Sequence, residues 1–424
     1  MPYAAALPVQ QSDNFRPLRI CLLGYRSNPY SGGQGVYLKY VSRALRALGH
    51  EVDVISGEPY PHLDDEIGLI KLPGLNLYAL EEPWRGLTAA TFKSAIDLFE
   101  WASVASGGFP EPYTFGQRVL AYLKTHGRNY DVIHDNQTLS YGVLKLQQIG
   151  MPLVTTIHHP ITRDRDIALA NEPHPGMRLL IRRWHSFLRM QKKVARRLQH
   201  IVTVSEASKR DIVAAFAANP ANIQVLYNGV DCNEFRPIPE INREPYRIIT
   251  TASADQPLKG TQHLLPALAR IKRSVPQIRL TFIGKAQPGG ITEQQINELN
   301  LQDSIEFVHG ITSEEINRLY AKANVAIVPS EYEGFGLPAA EAMASGIPLI
   351  SSDGGALPEV VGDAGIVVPV GDPDAIADAV TILLNDPQKR EQLSRAGRER
   401  MLNQFDWQVV ARSLTDYYLK VIAQ

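Results

Sequence analysis

The 424 residues carry 43 basic and 44 acidic side chains, a formal net charge of −1, with 44% apolar and 21% charged residues. This is the profile of a globular chain long enough for two cores of ordinary domain size, and its charge balance gives no reason to expect nucleic acid as a partner. No apolar run approaches the roughly 20 residues needed to cross a bilayer. Cys21 and Cys232 lie far apart, and Cys21 sits in an apolar run, so packing in a reducing, cytoplasmic setting is the expectation, with any membrane contact made from the surface.

In chain order, residues 1–17 read as a loose leader broken by Pro2, Pro8 and Pro17. Short β-branched runs then alternate with helix-period stretches, the pattern of parallel strands joined by crossover helices, which predicts an α/β fold. Strands are predicted at Arg19–Leu23, Glu51–Ile55, Ile67–Leu72, Val132–His134, Leu153–Ile157, Ile201–Val204 and Gln224–Leu226, with a helix from Gly35 to Leu48 stopped by Gly49. Asn228–Asp231 with Pro237 and Pro239 supplies the punctuation of an interdomain connection. A second series follows at Tyr246–Thr251, Arg279–Ile283, Ile305–Val308, Val325–Val328, Pro348–Ile350 and Ile366–Val368. The expected organisation is two Rossmann-like doubly wound domains, 18–232 and 233–404, with 405–424 returning to the first.

Pro329–Glu341 leaves a strand, turns through Gly334 and Gly336 and enters a helix at Pro338. A strand end, a glycine turn and a helix start present unpaired amides suited to phosphate oxygens, with Phe335, Gly336 and Leu337 as donors. Glu341 is expected in the first helical turn, within reach of a ribose hydroxyl, and Glu333 before the turn, where it can hold a sugar hydroxyl. Gly32 and Gly33 open the first helix after strand one and can approach a phosphate without obstruction.

Glu333 and Glu341, with seven residues between them, resemble the paired-glutamate motif of retaining GT-B glycosyltransferases of family 4. The resemblance extends through Ser31–Tyr37, Thr203–Glu206, Asn228–Asp231 and Lys259-Gly260 to nearly the full chain. It implies two domains facing a central cleft, with the second binding a nucleotide-diphosphate sugar as co-substrate and no metal. UDP-sugar is the first expectation for that donor, GDP- and ADP-sugars the others. It further implies that Lys259 neutralises the diphosphate and that the Ile311 backbone contacts the base. His158, with His159 as the neighbouring alternative, would orient the reacting sugar. Relatives carry an arginine where this chain has Ala254, between Ser253 and Asp255; Ser253 joins the donor-binding set, and Lys285 is a candidate replacement cation. Asn136, Gln137 and Tyr141 follow another strand end and could line the acceptor side.

The basic segment Arg178–His200 interleaves Trp184, Phe187 and Leu188. Its readings are a helix packed on the first sheet, a membrane-facing amphipathic helix, or a binder of an acidic acceptor. Asp372 with Asp374, and Asp164 with Asp166, read as loop or cap residues rather than metal ligands. The resemblance implies a retaining hexosyltransferase forming an α-glycoside on an acceptor hydroxyl of a sugar, polyol, lipid or glycan. Its rivals are an epimerase or phosphorylase on the same fold, or a noncatalytic nucleotide-sugar binder.

Overall fold

Parallel strands covered on both faces need apolar side chains on both, and the strand sequences meet that demand: in β1 (Arg19–Gly24) every residue from Ile20 onward is buried. The structure, a computed structural model, describes residues 16–28, 33–82, 87–88 and 91–424. The chain divides into two compact units, one of residues 1–204, 208–226 and 411–424, the other of 205–207 and 227–410.

The first unit continues with α1 (Gln34–Ala47), β2 (Glu51–Ser56), β3 (Gly68–Lys71), α2 (Ala95–Ala105), α3 (Glu111–His126), β4 (Val132–Asn136), α4 (Tyr141–Gln148), β5 (Leu153–Ile157), α5 (Thr162–Asn171), α6 (Pro175–Trp184), α7 (Leu188–Ala195), β6 (Ile201–Thr203), α8 (Glu206–Phe216) and β7 (Ile223–Val225). Its seven strands are parallel in the order β3-β2-β1-β4-β5-β6-β7. The second unit contains β8 (Arg247–Thr251), α9 (Thr261–Ser274), β9 (Arg279–Ile283), α10 (Ile291–Glu298), β10 (Ile305–Val308), α11 (Ser313–Lys322), β11 (Val325–Val328), α12 (Leu337–Ala344), β12 (Leu349–Ser352), α13 (Leu357–Val361), β13 (Ile366–Val368), α14 (Pro373–Asn385) and α15 (Pro387–Arg400), followed by α16 (Trp407–Ile422). Its six parallel strands run β10-β9-β8-β11-β12-β13. Both sheets reverse their winding direction between the first strand and a later one: β1 against β4, and β8 against β11.

The units part at Leu226 and Tyr227, six residues before the position read from the turn signals. The reason is local: Val230 bridges to Asp406, and the Trp407 ring occupies the space a Gly229 side chain would need. For the same reason residues 405–410 stay with the second unit, where Phe405 lies against Tyr227 and Phe335. The return to the first unit starts at Ala411. It is fixed by polar contacts inside that unit, Tyr418 OH to His134 Nδ1 at 2.5 Å and His50 Nε2 to Thr415 Oγ1 at 2.9 Å. Of the leader, residues 1–15 lie outside the described residues, while Arg16 reaches Asp131 at 3.3 Å.

The basic stretch 178–200 is two helices rather than one. In α7, Met190, Val194 and Ala195 are buried in the core under the first sheet and Leu188 is buried as well, each large side chain contributing about 1.5–3 kcal/mol. In α6 no residue is fully buried, and Met177, Leu179, Leu180 and Trp184 are exposed. Among the described residues no helix is long and apolar enough to cross a membrane.

Candidate active site

In an open α/β sheet, ligands gather at the carboxyl ends of strands where the winding reverses. In the second unit that point is the gap between β8 and β11, and the two loops leaving these strands carry most of the expected donor site. After β8 the chain passes exposed Ser253 and buried Ala254, forms a 3-10 turn over Pro257–Lys259 and enters α9 through Gly260. Gly260 has φ +69°, and a Cβ there would lie 1.9 Å from the Pro329 carbonyl oxygen, so only glycine lets this turn lie on the end of β11. That contact delivers Lys259 to the second loop, where its Nζ donates to Glu333 Oε1 at 2.8 Å. Ser330 Oγ donates to the same oxygen, also at 2.8 Å, and leaves Oε2 without a partner among the described residues.

Gly336 caps α12 with φ +102°, a conformation disfavoured for any residue with a Cβ, and a Cβ there would approach Leu357 to 2.7 Å. The amides of Phe335, Gly336 and Leu337 have no partner among the described residues, as a phosphate cradle requires. Phe335 itself is buried against Phe405. Glu341 lies in the second turn of α12, not the first, because the helix begins at Leu337. It keeps some contact with solvent, yet its carboxyl is packed among protein atoms. That burial, with the negative charge of Glu234 beside it, pushes its pKa up to about 8.

Where relatives carry an arginine, Ala254 is packed into the core and its carbonyl accepts from Thr292 Oγ1 at 3.0 Å. Asp255 accepts from the Gln287 and Thr292 amides, which holds its carboxyl below the usual range despite partial burial. Lys285 is exposed just beyond the end of β9, the neighbour of β8. Ile311 follows β10 and immediately precedes the capping box of Thr312 and Glu315 that starts α11, which fixes the backbone of this loop. Asp372 caps α14, Asp374 pairs with Arg270 at 3.0 Å and Asp166 with Arg165 at 2.7 Å. Asp164 lies 3.6 Å from His159.

In the first unit the group of side chains around His158 is neutral. Gly33 caps α1, and among the described residues nothing lies within 4 Å of where its Cβ would stand, while Gly32 lies outside the described residues. His158 stands just past β5, with its ring edge-on to Tyr37 at 4.7 Å. Asn136 is the last residue of β4, and its amide donates to the Gln34 carbonyl at 3.3 Å. Its Oδ1 must then accept, so His158 Nε2, 2.7 Å away, carries the ring proton and Nδ1 is left as an acceptor. Burial, then the neighbouring His159 and His134, lowers the His158 pKa to about 3, so the ring is neutral at physiological pH. Gln137, with φ +57°, spans the turn: it accepts from the His158 amide at 2.7 Å and donates to the His159 carbonyl at 3.0 Å. Tyr141 is exposed at the start of α4.

Within the second unit the structure therefore joins Lys259 with Glu333 and sets the amides of residues 335–337 beside them. Within the first it joins Asn136 and Gln137 with His158. It gives Tyr141 no contact with that group among the described residues. Ser330 and Tyr37 were not singled out from the sequence; a serine three residues before Glu333 in a motif already recognised was the available signal for the first.

The profile for glycosyltransferase family 4 matches residues 31–234, and that for glycosyl transferases group 1 matches residues 233–400. An MMP α-(1→4)-mannosyltransferase from Mycolicibacterium hassiacum is 44% identical over 412 residues, 96% of this chain and 99% of that one. The chain belongs to glycosyltransferase family 4. A D-inositol 3-phosphate glycosyltransferase from Kribbella flavida is 27% identical over 434 residues, 95% of this chain and 96% of that one. The fold of this family 4 member is that of the solved sucrose-phosphate synthase from Thermosynechococcus elongatus, with a TM-score of 0.69 at 24% identity, covering 96% and 99% of the two chains. Anabaena HepE in complex with UDP has a TM-score of 0.67 at 18% identity, covering 95% and 100%. The family 4 enzyme is thus a GT-B glycosyltransferase that moves a sugar from a nucleotide-sugar donor to an acceptor hydroxyl.

Proposed function

We propose that this enzyme is a metal-independent, retaining α-mannosyltransferase that uses a nucleotide-diphosphate mannose and adds mannose to the 4-hydroxyl of a mannoside acceptor. The observation that carries this reading is the 44% identity, over nearly the whole of both chains, to an α-(1→4)-mannosyltransferase.

The chemistry proposed for the site follows from its groups. Lys259 is held by Glu333 when no donor is bound. A diphosphate offers the ammonium a stronger partner, and its arrival frees the Glu333 carboxylate to accept from a hydroxyl of the transferred sugar. The amides of residues 335–337 share the diphosphate charge, and Glu341 accepts from the ribose. In the first unit, His158 Nδ1 accepts from a sugar hydroxyl while Asn136 fixes the ring. The bond from the anomeric carbon to the diphosphate oxygen breaks as the acceptor oxygen bonds to the same face. The acceptor proton passes to the departing diphosphate oxygen, so the configuration is retained without a protein base. Lys259 and the backbone amides supply the positive charge a metal would otherwise provide.

The test is transfer from GDP-, UDP- and ADP-mannose to methyl α-mannoside and short α-(1→4)-mannosides, with the product linkage read by NMR. An α-(1→4) product whose rate is unchanged by EDTA is expected. A β-linked product, or loss of turnover on chelation restored by a divalent ion, would overturn the mechanism; donor binding without transfer to any of these acceptors would overturn the assignment.

A further inference from the structure

The roles above leave unused an aromatic wall at the carboxyl edge of the first sheet. Three segments of the first unit each supply a ring: Tyr78 after β3, Phe109 just before α3 and Trp184 at the end of α6. Trp184 stacks on Phe109 with centroids 5.1 Å apart and 26° between planes, and Tyr78 packs edge-on to Trp184 at 5.2 Å. Buried Phe187 supports Phe109 from behind at 5.4 Å. The Trp184 ring is thus fixed on one side, yet the residue remains 39% exposed.

Beside the wall, Arg26 leaves the end of β1, lies 5.8 Å from the Tyr78 ring centre and pairs with Glu111 at 2.9 and 3.1 Å. The Glu111 side chain is only 12% exposed. Tyr25 links this group to His158: its ring edge meets Phe109 at 6.3 Å, its hydroxyl accepts from the Gln34 side chain at 3.5 Å, and the Gln34 carbonyl receives the Asn136 amide that holds His158. Wall and histidine are two ends of one packed run of residues.

We propose that Tyr78, Phe109 and Trp184, with the Arg26–Glu111 pair, form the acceptor subsite and that it takes a neutral saccharide. This rests on the glycosyl-transfer reading given above. The C–H face of a pyranose lies against the exposed Trp184 ring, and its hydroxyls bridge the guanidinium and the carboxylate, which together offer donors and acceptors to a diol. The guanidinium groups named by these contacts are already engaged, which favours a neutral ligand. Among the described residues, Arg26 pairs with Glu111, and Arg118 pairs with Asp97 and Glu100, of which Glu100 lies near Tyr78. Arg183 is further tied down by Ser103, Ser106 and Ser186. A phosphate or an anionic lipid surface would have to compete for guanidinium groups that already hold carboxyl or serine partners. A rigid ring also loses little freedom on binding, which favours recognition of a weakly polar face.

The experiment uses the full chain with Trp184→Leu, which keeps an apolar side chain but removes the ring, and Trp184→Phe, which restores an aromatic. With methyl α-mannoside and α-(1→4)-mannobiose, Trp184→Leu should raise the acceptor KM about tenfold, and Trp184→Phe should recover part of it. Donor affinity by calorimetry, kcat and melting temperature should stay near wild type. An unchanged acceptor KM in Trp184→Leu would overturn the subsite. Saturation-transfer NMR with mannobiose separates this inference from the transfer reading. A Trp184-dependent signal in a chain that transfers no mannose keeps the subsite and removes the transfer assignment, whereas no signal in the wild type overturns the subsite. Co-sedimentation with phosphatidylglycerol vesicles that Trp184→Leu abolishes, with the acceptor KM unmoved, would assign the wall to a membrane surface instead.

Discussion

The two sheet edges occupy equivalent places in their units and are built from opposite electrostatics. At the β8–β11 edge an ammonium and a carboxylate, Lys259 and Glu333, meet beside free helix-start amides. At the β1–β4 edge the groups around His158 are neutral: a histidine kept uncharged by burial and two amide side chains that fix its proton and its backbone. A diphosphate demands fixed positive charge and open N–H groups, whereas a sugar hydroxyl demands directional acceptors that do not change charge with pH. One topology serves both because the switch point fixes only where loops converge; the loop residues decide what they bind.

The comparison can be broken from either side. The largest effect is expected for Glu333→Gln, which keeps size but loses the charge that holds Lys259 and that the proposed mechanism turns toward the sugar: kcat should fall about 10²–10³-fold with folding intact, and wild-type turnover would remove Glu333 from the site. His158→Ala should lower kcat about 10²-fold through loss of sugar positioning. Because the ring is already neutral, the wild-type pH profile between 5 and 8 should show no titration assignable to His158, and a limb near 6.5 abolished by His158→Asn would break the contrast. Lys259→Ala should weaken donor diphosphate affinity about tenfold or more by calorimetry; unchanged affinity would place the phosphates elsewhere.

The smallest effect concerns Glu341. Its pKa is raised to about 8, so the folded chain keeps a proton that the unfolded chain releases above about 4.5. The stability this lends is present at low pH and is lost as pH rises through about 8. Glu341→Gln should therefore stabilise the protein at pH 8, by about 1–3 kcal/mol once its solvent contact is discounted. Ribose hydroxyls favour the ionised acid, so wild-type donor affinity should rise from pH 7 to 9 and the glutamine variant should not follow. A flat wild-type profile would mean that Glu341 does not accept from the ribose.

The strand segments were legible because burial on both faces leaves a direct mark on composition: β5, β9, β10, β11 and β13 have the predicted bounds, and the other strands shift by one or two residues. Glu333, Lys259 and the amides of residues 335–337 were legible because they lie within short motifs. Less so was Asn136, whose strand runs two residues further than its apolar core suggests, since His134 and Asp135 are buried polar residues that break the pattern. Nor did the sequence show that Arg178–His200 would divide into an exposed helix and a packed one.

What the sequence determined by itself was the α/β alternation, the paired-glutamate turn and the glycine caps, all set by neighbours within a dozen residues. Tertiary structure alone decided that Lys259 meets Glu333 across 74 positions, that Asn136 selects the His158 tautomer and that Tyr78, Phe109 and Trp184 share one wall. The reason is physical: such contacts depend on which strand ends lie side by side, and strand order follows from how whole helices and sheets bury their apolar faces, not from any local pattern.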